Sequence, residues 1–90
     1  MGNTDIQCYA ILIRQSNPED VIFSEKVTNA IKTNNGAVVL TGFNLMHYVA
    51  CIVFKTLMER ERCASMFDQI NIDFDTRDDA IIPKEFAKWW

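Results

Sequence analysis

The sequence predicts a small α/β (α+β) domain of β-α-β-α-β(β) order, with its helices packed on one mixed sheet. Three observations carry this. The run Cys8-Tyr9-Ala10-Ile11-Leu12-Ile13 is short, apolar and rich in strand formers. A second such run, Val38-Val39-Leu40-Thr41, reaches Gly42 and gives way to an apolar segment, Leu45 to Met58, that is read with helical spacing. From Phe67 the period changes, and Ile70, Ile72 and Phe74 alternate with Asn71, Asp73 and Asp75. Ninety residues make one domain, 1–90, whose core is marginal unless a partner covers part of it. The ends, 1–5 and 84–90, are read as flexible or docked on a partner, since the terminal Trp89-Trp90 pair is costly to expose.

The first strand, Ile6 to Ile13, suits a central position covered on both faces. Arg14 to Asp20 reads as a loop feeding a helix. Asn17 is placed to cap it, Pro18 fits the first helical position, and Glu19 and Asp20 suit the positive end of the helix dipole. Helix one is predicted from Pro18 to about Lys32, with Phe23, Val27, Ala30 and Ile31 as its buried stripe and Ser24, Glu25, Lys26 and Asn29 in water. Asn34-Asn35-Gly36 supplies a left-handed stop. Ala37 to Thr41 is the second strand, and a helix between two strands is most simply a parallel βαβ unit.

Helix two is predicted from Asn44, as its cap, to roughly Arg62. Leu45, Val49, Ile52, Val53 and Leu57 mark its buried stripe. Met46, Tyr48, Cys51 and Phe54 widen the apolar surface beyond what one sheet covers, which predicts a dimer interface on that helix. Its tail, Glu59 to Arg62, is read as charged and solvated, with Lys55 and Glu59 one turn apart. A third strand follows from Ile70, then a polar turn over Thr76 to Asp79. Ala80-Ile81-Ile82 reads as a short returning strand stopped by Pro83.

Charge and cysteine usage bound the function. A formal net charge of -3 gives no general attraction to a polyanion. Cys8, Cys51 and Cys63 lack CxxC spacing, and no signal-type apolar stretch opens the sequence, which predicts reduced thiols in an intracellular protein, cytoplasmic or nuclear. Leu45 to Met58 is too short for a membrane span and contains His47 and Lys55.

No catalytic or metal constellation emerges, and no cofactor is implied. His47 is the sole histidine, and no carboxylate partner is implied beside it. Asp68, Asp73, Asp75, Asp78 and Asp79 form an acidic region in which Asp73 and Asp75 share one strand face, about 7 Å apart. It lacks the glycine of a calcium loop, so a solvated edge or a docking surface for an Arg-rich partner is the reading. Cys8 and Cys51 suit packing, while Cys63, near the end of the predicted helix, is read as the more exposed thiol. There is no GxSxG, Walker loop or GxGxxG.

The element order and glycine junction resemble the Alba superfamily over about Leu12 to Leu57. Members show a loop of the form Gly-Lys-Lys-Pro, where this chain has Gln15-Ser16-Asn17-Pro18. They open helix two with Gly-Arg-Ala-Ile-Ser-Lys-Ala-Val, where it has Gly42-Phe43-Asn44-Leu45-Met46-His47-Tyr48-Val49. Pro18, Gly42, Leu45 and Val49 match. Ser16, Asn17, Phe43 and His47 stand where the family carries basic residues for nucleic-acid backbones.

The resemblance implies a non-enzymatic, dimerising subunit of a nucleoprotein complex with weak or partner-assisted RNA or DNA binding. It would pair with itself or with a more basic Alba-like protein, as Alba-type subunits of eukaryotic ribonuclease P and MRP do. Arg14, Gln15, Ser16, Asn17, Asn44 and His47 are the nucleic-acid contact candidates. Met46, Tyr48, Phe54, Met58, Asp73 and Asp75 are the partner-interface candidates. The alternative is an acidic protein-binding inhibitor or adaptor, of the sort small viral genomes encode, that uses the Asp-rich strand region.

Overall fold

The structure, a computed structural model, describes residues 5–22, 24–39 and 47–83. The elements are β1 (Asp5–Arg14), α1 (Glu19–Ile22), α2 (Glu25–Thr33), β2 (Ala37–Val39), β3 (Tyr48–Phe54), α3 (Leu57–Gln69) and β4 (Phe74–Pro83). The four strands form one sheet in the order β2-β3-β1-β4, and every neighbouring pair is antiparallel. The α+β class stands, but the sheet is not mixed. β1 and β2 are not a parallel pair, because β3 lies between them; the order is that of a split βαβ arrangement.

The largest correction falls on predicted helix two. Tyr48-Val49-Ala50-Cys51-Ile52-Val53-Phe54 is a strand, so the helical face proposed as a dimer interface does not exist there. Cys51 to Phe54 are buried consecutively, since neighbours alternate between two covered sheet faces. A continuous apolar run of this kind carries no period that separates strand from helix, and its β-branched content decides for strand. The true helix starts later, at a capping box. Thr56 Oγ1 accepts from the Glu59 N–H at 3.2 Å and donates to Glu59 Oε1 at 2.9 Å. Residues 40–46, with Gly42 and the predicted cap Asn44, lie outside the described residues, as do Phe23 and residues 84–90.

Three further boundaries move. Helix one is two pieces, because Ser24 takes an extended conformation and caps α2, its side chain accepting from the Val27 N–H. The predicted stripe survives in Val27, Ala30 and Ile31, all buried, and Asn35, at φ 58°, makes the left-handed stop. The third strand begins only at Phe74, because α3 continues to Gln69 and ends in a turn with Asn71 at φ 60°. Thr76 to Asp79 is not a turn, nor Ala80 to Ile82 a separate strand; both belong to β4.

Both faces of the sheet are apolar. On one, Ile11, Ile13, Ile52 and Phe54 pack with Val27, Ala30 and Ile31 of α2 and with Cys63, Ala64 and Phe67 of α3. The other cluster, Cys8, Ala10, Val39, Cys51, Val53 and Ile82, contains strand residues only. Gly36 brings the chain from α2 into β2 at close quarters; a Cβ there would lie 2.8 Å from Phe54 and 3.0 Å from Ile31 and Ile52. No helix among the described residues is long and apolar enough to cross a membrane.

Candidate functional site

Residues predicted to contact nucleic acid and residues predicted to face a protein partner converge where β1 ends, β3 begins and β4 begins. Arg14 is the last residue of β1, Tyr48 the first of β3, and Asp75 the second of β4. A register irregularity between Ile13 and Arg14 brings Arg14 opposite Tyr48 rather than Val49. Such bulges re-aim side chains at the rim of a sheet.

Arg14 is held from several sides. Its Nη2 lies 2.7 Å from Asp75 Oδ2 and 2.9 Å from Asp75 Oδ1, and its Nε lies 3.7 Å from Asp73. Its guanidinium carbon stands 5.9 Å from the centre of the Tyr48 ring. The Tyr48 hydroxyl donates to Asp75 Oδ2. One guanidinium thus faces two carboxylates, and the cluster carries an excess negative charge.

The loop after β1 is tied to the same place. Asn17 is buried, and its side-chain oxygen serves Asp73 rather than the predicted helix start. Its Nδ2 donates to the carbonyls of Arg14 and Asp73, at 2.7 and 2.8 Å, and its Oδ1 accepts from the Asp73 N–H at 2.7 Å. Ser16 Oγ donates to Asp73 Oδ2 at 2.9 Å, and the Gln15 N–H donates to the His47 carbonyl at 2.8 Å. His47 itself is exposed. Arg14, Gln15, Ser16 and His47 line an open cleft of about 350 Å³.

The remaining candidates lie elsewhere or are not described. Phe54 is wholly buried in the helix-side core, so it is no interface residue. Met58 is exposed, on the first turn of α3. Asn44 and Met46 fall outside the described residues. Cys63 is fully buried rather than exposed, and burial pushes its thiol up to about 12 and that of Cys51 up to about 11. Arg60, predicted in a solvated tail, is instead buried against β4. Nothing in its sequence context, Glu59-Arg60-Glu61-Arg62, marks it out from its neighbours.

The network sets a pH dependence. The bond from Tyr48, and then Arg14, hold the Asp75 carboxyl below its ordinary range, while the bond to Asp75 pushes Tyr48 above its own. A depressed folded pKa stabilises above the unfolded value, about 3.9 for Asp, and is lost as pH falls through the folded one. A raised folded pKa stabilises below the unfolded value, about 10 for Tyr, and is lost as pH rises through the folded one. Melting temperature plotted against pH is therefore expected to fall at both ends, below about pH 4 and above about pH 10. Asp75→Asn is expected to flatten both limbs relative to the wild type.

Among known proteins, the chain matches no family model, no curated protein and no solved structure.

Proposed function

We propose that this chain is a non-enzymatic, intracellular interaction subunit that binds a protein partner bearing basic side chains and reaches RNA or DNA only through that partner. The observation that carries this reading is the internal use of Arg14. It is the one cation among the nucleic-acid contact candidates, and it lies between Asp73 and Asp75. Phosphate affinity comes from Lys and Arg that can exchange counterions for phosphate. A guanidinium already paired with Asp75 and close to Asp73 has its charge offset before any phosphate approaches.

The exposed acidic residues point to the partner's chemistry. Asp73, Asp78 and Asp79 are exposed at and beside β4. A more basic Alba-like protein would supply the complementary charge and the phosphate contacts together, which joins the resemblance to the geometry. The chemistry of the thiols supports the non-enzymatic part, since Cys51 and Cys63 are buried, uncharged at neutral pH and poor nucleophiles.

A second reading, direct binding of nucleic acid, is favoured by the gathering of Arg14, Gln15, Ser16 and His47 around one cleft. Paired titrations separate the two. The purified chain is expected to bind an Arg-rich peptide more tightly than a single-stranded RNA of equal charge. Asp79→Asn, at an exposed position of β4, is expected to weaken the peptide complex at least threefold while leaving the melting temperature near wild type. Tighter binding to the RNA would reverse the assignment.

A further inference from the structure

Among the described strands, β4 has a neighbour on one side only. It is ten residues long, and an edge of that length with no strand beside it is a template for pairing with another chain. Its register with β1 contains one irregularity. Ala10 pairs with Arg77 and Cys8 pairs with Ala80, so two steps along β1 are matched by three along β4. One extra residue, within Asp78-Asp79, interrupts the edge as a bulge.

Arg60 closes on that interruption from α3. Its Nη1 donates to the Arg77 carbonyl at 2.9 Å and to Asp78 Oδ1 at 2.6 Å, and its guanidinium stands 5.9 Å from the centre of the Tyr9 ring on β1. The side chain is only 5% exposed, although Asp78 is 75% exposed. Its Nε has no hydrogen-bond partner among the described residues. A buried guanidinium with an unsatisfied nitrogen is a poor source of stability, and apolar side chains often replace such groups without loss. Its reach to the Arg77 carbonyl, where the bulge begins, is what a methionine or leucine could not reproduce.

We infer that Arg60 is a positioning residue that holds the β4 bulge in place, and that the bulge keeps the edge of β4 that faces no described strand from pairing with a second copy of this chain. The flanking charges Arg77, Asp78 and Asp79 add to the same effect. With the bulge released, two β4 edges can run antiparallel and exchange backbone hydrogen bonds.

The test is Arg60→Met, which keeps the packing on Tyr9 and removes the two hydrogen bonds. Sedimentation and amide hydrogen exchange are measured together at low and high protein concentration, beside the wild type. The expected result is an association constant at least tenfold above wild type, with β4 amides exchanging at least tenfold more slowly at high concentration. A second variant, deletion of Asp79, removes the extra residue while keeping Arg60 and Asp78, and is expected to associate in the same way. A further Ile81→Pro change, which blocks edge pairing, is expected to restore wild-type behaviour. If Arg60→Met does not fold, the deletion variant decides. A folded variant whose association and β4 exchange match the wild type overturns the inference.

Discussion

Replacing Phe67 by alanine is expected to destabilise the protein by about 3–5 kcal/mol. Phe67 is completely buried on α3, and its ring meets that of Phe74 on β4 edge to face, with centroids 5.9 Å apart. It also sits at the end of the helix, where its carbonyl accepts from the N–H groups of Ile70 and Ile72 as the chain turns toward β4. Truncation therefore opens a cavity at the point where α3, the turn and β4 are joined. A chain of this size has a total stability on the order of 5–13 kcal/mol. The variant is expected to lose a large share of that, read as a lower midpoint in urea with the slope unchanged.

Asn17→Ala is expected to cost about 2–3 kcal/mol, more than an exposed loop position would. The side chain makes three hydrogen bonds to backbone groups, and all three lie on the seam between the end of β1 and the start of β4. Alanine leaves the Asp73 N–H and two carbonyls without those partners in a part-buried place. Asn17→Asp is the sharper variant, because a carboxylate can still accept from the Asp73 N–H but faces the two carbonyls with no donor. Its loss is expected to equal or exceed that of alanine. Hydrogen exchange at Asp73 reports the local effect directly, with faster exchange in both variants.

How much of this was legible in the sequence depended on which residues carried the signal. β1 was read closely, because Cys8 to Ile13 is a compact β-favouring run. The end of α2 was also readable, since Asn35 and Gly36 are residues that tolerate left-handed and tightly packed positions. β3 was not, because its faces are both buried and Cys51 to Phe54 lacks alternation. The decisive sign was present just after it: Thr56-Leu57-Met58-Glu59 is a capping box, and it marks a helix beginning rather than continuing.

The site was legible as ingredients and not as an arrangement. Arg14, Ser16 and Asn17 were singled out for one partner, and Asp73 and Asp75 for another, 57 to 61 positions away along the chain in the Ser16–Asp73 and Arg14–Asp75 bonds. Only the antiparallel placement of β4 beside β1 makes them bind each other. Local composition holds no information about that pairing. Arg60 is the extreme case, where a residue between two glutamates belongs to the interior because of the strand that passes over it.

The central claim is that Arg14 is committed to Asp73 and Asp75 and does not serve phosphate. Its most direct test is the affinity of the purified wild-type chain and of Arg14→Ala for a single-stranded RNA, measured across a series of salt concentrations. The predicted result is weak binding by both, with the same dependence of log affinity on log salt. Wild-type binding whose salt slope falls by about one on Arg14→Ala, with a matching loss of affinity, would contradict it.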